Sequence, residues 1–357
     1  MRRRFLTGYA SALILAISLM TACSGAVREE AIDKPLPEYG SVTVVEKTAN
    51  GITDIFSVKD GGMYKIASKT DDIAEMQRSA GGDIIAQLVT ISKGQNFDKN
   101  EIKIYRDEKV MVLDSFFSAS DIKMNAEGTR LAYRSYSQDS PGSVQKLKIF
   151  DLASRKSEEI KSGVRISGSV YCWIDGENLI YYGTNAETGG KGKIYKYNAK
   201  TGTEEVFIEE INGFCMSIIP AGDGILYFES TGIEASLCFA DGNGSKNILT
   251  SEMAELYEAE YNSKTQEVYL VGIMAGETAG ALYKADLKGK EVIRRISYDF
   301  PKEVGAASTM ETDSEGLLYF TGLLEGKSSR EMDVFSYAKD SRAVSRISQD
   351  SGFYMLY

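Results

Sequence analysis

The stretch "DSEGLLYFTGL", residues 313–323, puts a turn and a strand side by side. Asp313, Ser314 and Gly316 are turn formers, and Leu317 to Phe320 follow without a charge. A short run of bulky, β-favouring side chains bounded by turn residues reads as a strand with both faces covered. The same figure recurs in "AGGDIIAQLVT" (80–90), "AEGTRLAYRSY" (126–136), "IDGENLIYYGT" (174–184), "AGDGILYFEST" (221–231) and "SKTQEVYLVGI" (263–273). Each copy is followed by a second strand pattern, such as "KLKIFDL", "GKIYKYN" or "GALYKAD", then by a polar turn and a third apolar run. A period of about 40–50 residues holding four short strands is the size of one β-propeller blade.

Six such units run from Ile73 to Ser348. Three strand-like pieces remain before them, "SVTVVE" (41–46), "TDIFSV" (53–58) and "GMYKIA" (62–67), and one after them, "GFYMLY" (352–357). Three and one complete a seventh blade, with the last strand innermost. Joining both chain ends in one blade closes the ring and removes open sheet edges. The expectation is an all-β propeller of seven four-stranded blades over 41–357, with six or eight as the alternatives left by soft repeat edges.

The turn slots Asn125-Ala126-Glu127-Gly128, Trp173-Ile174-Asp175-Gly176 and Asp313-Ser314-Glu315-Gly316, with the third strands after them, resemble the WD40-like repeat of TolB-type propellers. That family usually has S-P-D-G there, and the resemblance covers about residues 70–350. It implies a propeller that serves as a protein-docking platform in the cell envelope or as the propeller half of a peptidase. The peptidase half and the amino-terminal α/β domain of TolB have no counterpart in this sequence.

The N-terminus carries a second resemblance. Arg2, Arg3 and Arg4 precede an apolar run from Phe5 to Met20, too short for a comfortable membrane span, and Thr21, Ala22 and Cys23 follow. This order resembles the lipobox of bacterial lipoproteins, with Met20 where leucine is usual. It implies a signal peptide over 1–22, a diacylglyceryl group on the Cys23 thiol and acylation of the new amino end. "RRRFL" (2–6) also resembles the twin-arginine export motif, so either export route stays open. Residues 23–40, polar and broken by Pro35 and Pro37, read as lipid anchor and flexible tether. The expected address is the extracytoplasmic side of a membrane.

Composition narrows the chemistry. The chain has 357 residues and no histidine, which removes Ser-His-Asp and Cys-His machinery and imidazole metal ligands. Loss of residues 1–22, with three arginines and no acid, takes the formal charge from −10 to −13. A protein this acidic repels nucleic acid and anionic lipid. Cys172, Cys215 and Cys238 lack C-x-x-C spacing and read as buried thiols, with one bridge plus a free thiol as the alternative. "DGNGSKNILTSE" (241–252) mimics a calcium loop but has Lys246 where that loop needs glycine, and "TGGKGK" (188–193) lacks the P-loop pattern. Both read as hairpin loops. No cofactor or metal is implied.

Inner strands and their loops face the channel, which makes Tyr171, Trp173, Phe214, Tyr257, Glu260 and Tyr261 the candidate ligand-binding residues. Phe116, Phe117, Tyr354, Asp121 and Glu311 belong to the same region. Aromatic rings beside carboxylates suit sugars or peptide side chains; rings that merely fill the channel are the structural alternative. The sequence thus points to a membrane-tethered, non-catalytic platform for a protein partner or extracellular ligand. The alternative is a polysaccharide-acting enzyme, a glycosidase or lyase using carboxylates or tyrosine at the channel mouth.

Overall fold

A computed structural model describes residues 27–31, 37–143, 145–185, 189–287, 293–298, 300–328 and 330–357. Cys23, the signal segment and most of the tether lie outside them, as does Thr188 of the "TGGKGK" loop. The described residues form seven antiparallel sheets arranged in a ring and no helix, so none crosses a membrane as an apolar helix. This is a seven-bladed propeller.

Blade 1 consists of Val42–Lys47, Thr53–Lys59 and Gly62–Lys69, with Phe353–Leu356 as its inner strand. The C-terminal strand pairs with the first through Val44↔Leu356 and Lys47↔Phe353. Thr43 and Tyr357 exchange backbone bonds of 2.8 and 2.9 Å. Both chain ends therefore close the ring in one blade, with the last strand innermost.

Blades 2 to 7 follow in order, each starting on its inner strand: Asp72–Arg78, Ser118–Met124, Arg165–Trp173, Phe214–Ala221, Met253–Asn262 and Met310–Thr312. Four strands is an even number, so every inner strand starts on one face of the ring and ends on the other. The starting face, here the loop face, carries the connections between blades and the hairpins between second and third strands. The opposite turn face carries the repeated turns.

The hydrophobic core is divided. Seven clusters of buried apolar side chains occupy the seven gaps between neighbouring blades, one cluster to a gap. Successive side chains of a strand point to opposite faces of its sheet, so each second strand feeds two gaps. Ile225 and Tyr227 pack towards blade 4, while Leu226 and Phe228 pack towards blade 6. That is why "ILYF" and "LIYY" read as unbroken apolar runs.

The turns that carried the family resemblance tie neighbouring blades. Asn125 accepts the N–H groups of Thr129 and Arg130 and donates to the Gly176 carbonyl of the next turn at 3.0 Å. Asn262 does the same with Lys264 and Thr265, and donates to the Gly316 carbonyl at 2.9 Å. Gly128 has φ +67°, and a Cβ there would sit 2.8 Å from Ile84, so the slot needs glycine.

One element differs from the expected tether. Arg28–Ala31 adds a fifth, outermost strand to blade 2, paired with Lys109–Leu113. Its side chains are exposed, but Glu29 holds Lys109 at 2.9 Å and Arg155 at 2.5 Å, and Val27 packs on the core between blades 2 and 3.

Candidate functional site

Each inner strand of blades 2 to 7 carries an equivalent position at one level of the ring, one or two places before the strand ends. In blades 2 to 7 these are Gln77, Lys123, Cys172, Ile219, Glu260 and Glu311, of which Cys172 packs into the gap between blades 4 and 5 and Ile219 into the gap between blades 5 and 6. The position is apolar at blades 4 and 5 and charged at blades 3, 6 and 7. Glu258, Glu75 and Arg78 extend the charged part.

Glu75, Glu258, Glu260 and Glu311 are half-buried, deep in the molecule with part of their surface free. Burial pushes the Glu311 carboxyl up to about 7; Arg78 opposes the rise, Glu258 adds to it and Lys123 also opposes it. Glu260 is driven well above the ordinary carboxylate range by burial and then by the Glu311 charge, with the Thr312 hydroxyl donating to its Oε1 at 3.1 Å. Burial also raises Glu258 and Glu75. A carboxyl whose proton affinity is raised keeps its proton to higher pH than an exposed one, and in that form it can donate as well as accept a hydrogen bond.

Part of this charge is structural. Glu75 accepts the N–H groups of Asp121 and Ile122, both at 2.8 Å, where the inner strand of blade 3 bulges and Asp121 takes φ +56°. Arg78 donates to the carbonyls of Gly40 and Ser41, fixing the approach to blade 1. Among the described residues, no group of three or more Cys, Asp or Glu side chains is placed to hold a metal ion.

The sequence candidates separate into three places. Tyr171 and Trp173 are buried in the gap between blades 3 and 4. The Tyr171 hydroxyl donates to the Asp121 carbonyl, and Trp173 Nε1 donates to the Lys123 carbonyl at 2.9 Å. Here both act as packing residues, and Cys172 between them points into the opposite gap. Glu260 belongs to the channel cluster, while Tyr261 lines a shallow cleft of about 400 Å³ on the turn face with Gly222, Asp223 and Phe239. Phe214 and Tyr257 stand nearer the loop face; Phe214 is 64 % exposed, and Tyr257 donates to Glu255 at 2.5 Å.

Of the wider set, Phe116 rests on Tyr133 with ring centroids 5.6 Å apart. Phe117 is half-buried, its backbone bonded to Asn100 and Tyr136. Tyr354 is buried and donates to the Asp350 carbonyl at 3.0 Å. Cys172, Cys215 and Cys238 are free thiols in one cluster between blades 4 and 5; burial pushes Cys172 and Cys238 up to about 12. In the calcium-like loop, Asp241 turns inward to accept Asn243 and Ser245, both at 2.9 Å.

Sequence reasoning did not single out Lys123, Glu258, Glu75, Met216 or Ile233. For Glu258 and Glu260 a signal existed in "YEAEY" (257–261), which puts two carboxylates two residues apart on one strand. Met216 and Ile233 carry no such mark. Their exposure matters because of where it falls. Of the ten large apolar side chains exposed on the described residues, Ile52, Ile91, Phe214, Met216, Ile233, Tyr298 and Phe300 lie on or near the loop face. Tyr64, Val206 and Ile248 lie on outermost strands.

Comparison with solved structures places this architecture. TolB from Acinetobacter baumannii superposes with a TM-score of 0.52 at 12 % identity, covering 91 % of this chain and 88 % of its own. The fold is a TolB-like propeller. An oligogalacturonate lyase in complex with manganese gives 0.58 at 12 % identity, covering 91 % and 86 %. The β-propeller domain of the Trilobed protease from Pyrococcus furiosus gives 0.56 at 15 % identity, covering 78 % and 85 %. No family model and no curated protein sequence matches the chain. The structural neighbours thus include both TolB and enzymes, on one shared fold.

Proposed function

We propose that the protein is a membrane-tethered, non-catalytic binding platform on the extracytoplasmic side, which recognises a protein partner through the loop face of its propeller. The observation that carries this reading is the gathering of exposed apolar side chains on that face, led by Ile233, 97 % exposed, and Phe214. Contiguous exposed apolar surface marks an interaction site, and Phe214, Met216 and Ile233 all come from blade 5. Exposed Glu209, Glu210, Glu234, Glu252 and Glu255 stand in the loops and strand starts around them. That rim disfavours an anionic lipid surface and favours a partner with basic and apolar side chains.

The extra strand of blade 2 supports the same orientation. Arg28 lies at its loop-face end, because it pairs with Val112 where the outer strand runs towards that face. With Cys23 lipidated, three residues separate the anchor from Val27, a reach of at most ~14 Å over four peptide steps. The loop face is then held close to the membrane, and the partner is a protein in or at that membrane.

A second reading, a polysaccharide-acting enzyme, is favoured by the Glu260–Glu311 cluster, since a carboxyl near 7 suits general acid–base work. Two experiments separate the readings. Cys23→Ala should release the protein from the membrane fraction; retention in high salt would defeat the anchor. In-cell crosslinking should lose its discrete partner adduct in a Phe214→Ser/Ile233→Asp double variant and keep it in Glu311→Gln. The reverse pattern, with polysaccharide cleavage lost in Glu311→Gln, would replace the platform by the enzyme.

A further inference from the structure

Arg134 lies in the second strand of blade 3, Arg130–Tyr136, and is 2 % exposed. Its Nε and Nη2 are buried without a hydrogen-bond partner. The guanidinium lies over the Tyr171 ring, 5.7 Å from the centroid. Asp121 acts on it only through space, its own carboxylate taking the Ser120 hydroxyl at 2.8 Å. A buried cation with two unmade hydrogen bonds is a costly arrangement unless something completes it.

Arg134 is one of the residues that line a cleft of about 310 Å³ between blades 3 and 4, on the side of the loop face. Gln145, Lys146, Glu159, Ser162 and Arg165 also line it. Lys146 is neutralised by Glu159 at 2.7 Å, so Arg134 and Arg165 leave the cleft cationic on a chain of formal charge −10. Nε and Nη2 together form the side edge of the guanidinium, the fork that fits two oxygens of one carboxylate or phosphate.

We propose that this cleft is an oxyanion-binding site, in which the Nε/Nη2 edge of Arg134 takes two oxygens of a carboxylate or phosphate group while Arg165 guards the mouth. The volume admits one small anion or one acidic side chain. The anion therefore arrives either free in solution or as an acidic residue of a partner. The site is separate from the apolar side chains of blade 5, and its failure leaves the platform reading in place.

The test is isothermal titration of the full chain in detergent with inorganic phosphate, succinate and a glutamate-rich peptide, at ionic strength fixed with chloride. Saturable binding of at least one probe is expected, weakened ten-fold or more by Arg134→Lys, which keeps the charge but loses the fork. Binding of phosphate or succinate identifies a free anion as the source; binding of the peptide alone identifies a partner's carboxylate. Trp173 shares its cluster with Leu147, Ile160 and Val164 of the cleft wall, so its emission should change with the same midpoint even if the variant does not fold. No saturable binding of any probe, binding unchanged in Arg134→Lys, or binding without a Trp173 response would overturn the site.

Discussion

At one level of the inner strands, blades 4 and 5 carry Cys172 and Ile219, whereas blades 6 and 7 carry Glu260 and Glu311. The backbone positions correspond, yet the chemistry is opposite. Cys172 packs among Ile180, Tyr182 and Cys215, and nothing there requires a charge. Burial and then the Glu311 charge raise the proton affinity of Glu260, a burden the fold itself does not impose. The fold accepts an apolar residue at this level. The carboxylates are therefore an addition to the scaffold, and the first place to look for function inside the channel.

The largest effect should come from removing the wall that both halves share. Deleting residues 352–357 takes out the inner strand of blade 1, including buried Tyr354 and Leu356. It exposes the edge of Val42–Lys47, and the melting transition should fall by more than ~10 °C and lose its single cooperative step. A truncated chain that melts like the intact one would remove ring closure from the account. Next comes Cys172→Glu, which copies the charged half into the apolar half. Burial opposes a carboxylate in that gap and the Lys123 charge only partly offsets it, so the loss should reach ~3 kcal/mol in chemical denaturation. A cost below ~1 kcal/mol would mean that the two halves are equally polar in practice.

A smaller effect of opposite sign is expected from Glu311→Gln. The folded carboxyl titrates at about 7 and the unfolded one near 4.5, so the native state holds the extra proton between those values. Its contribution to stability is full below pH 4.5 and lost as pH rises through 7. The melting temperature should thus fall from pH 5 to pH 8, and Glu311→Gln should flatten that fall. At pH 8 the variant should melt about 2–4 °C higher than the parent protein. A flat pH profile in the parent would show that the carboxylates are not held apart from water.

The propeller was legible because strand-and-turn chemistry repeats: six turn-plus-strand copies, with leftover pieces at the two ends that fit together in one blade. The outermost strand Arg28–Ala31 was not legible. Its four residues are polar or small and exposed, and it is held by backbone pairing and the Glu29 ion pairs, so no apolar alternation announces it. Alternation along "VYCW" (170–173) separated Tyr171 and Trp173 from Cys172, but did not tell that the gap they enter is closed by the Asp121 and Lys123 carbonyls. Glu260 and Glu311 were seen as single carboxylates. Their meeting depends on two inner strands from different repeats, and the sequence has no local mark for that. The loop-face apolar residues stand singly in "NGFCMS" (212–217) and "TGIEA" (231–235), and only the folded ring gathers them on one face.

Site-specific photo-crosslinking in intact cells tests the platform most directly, with the reactive group placed in turn at positions 214, 233, 64 and 206. Phe214 and Ile233 mark the loop face, while Tyr64 and Val206 mark exposed apolar positions on outermost strands. The account predicts one discrete protein adduct at 214 and 233 and none at 64 and 206. Equal labelling at all four positions, or labelling confined to the outer strands, would contradict it.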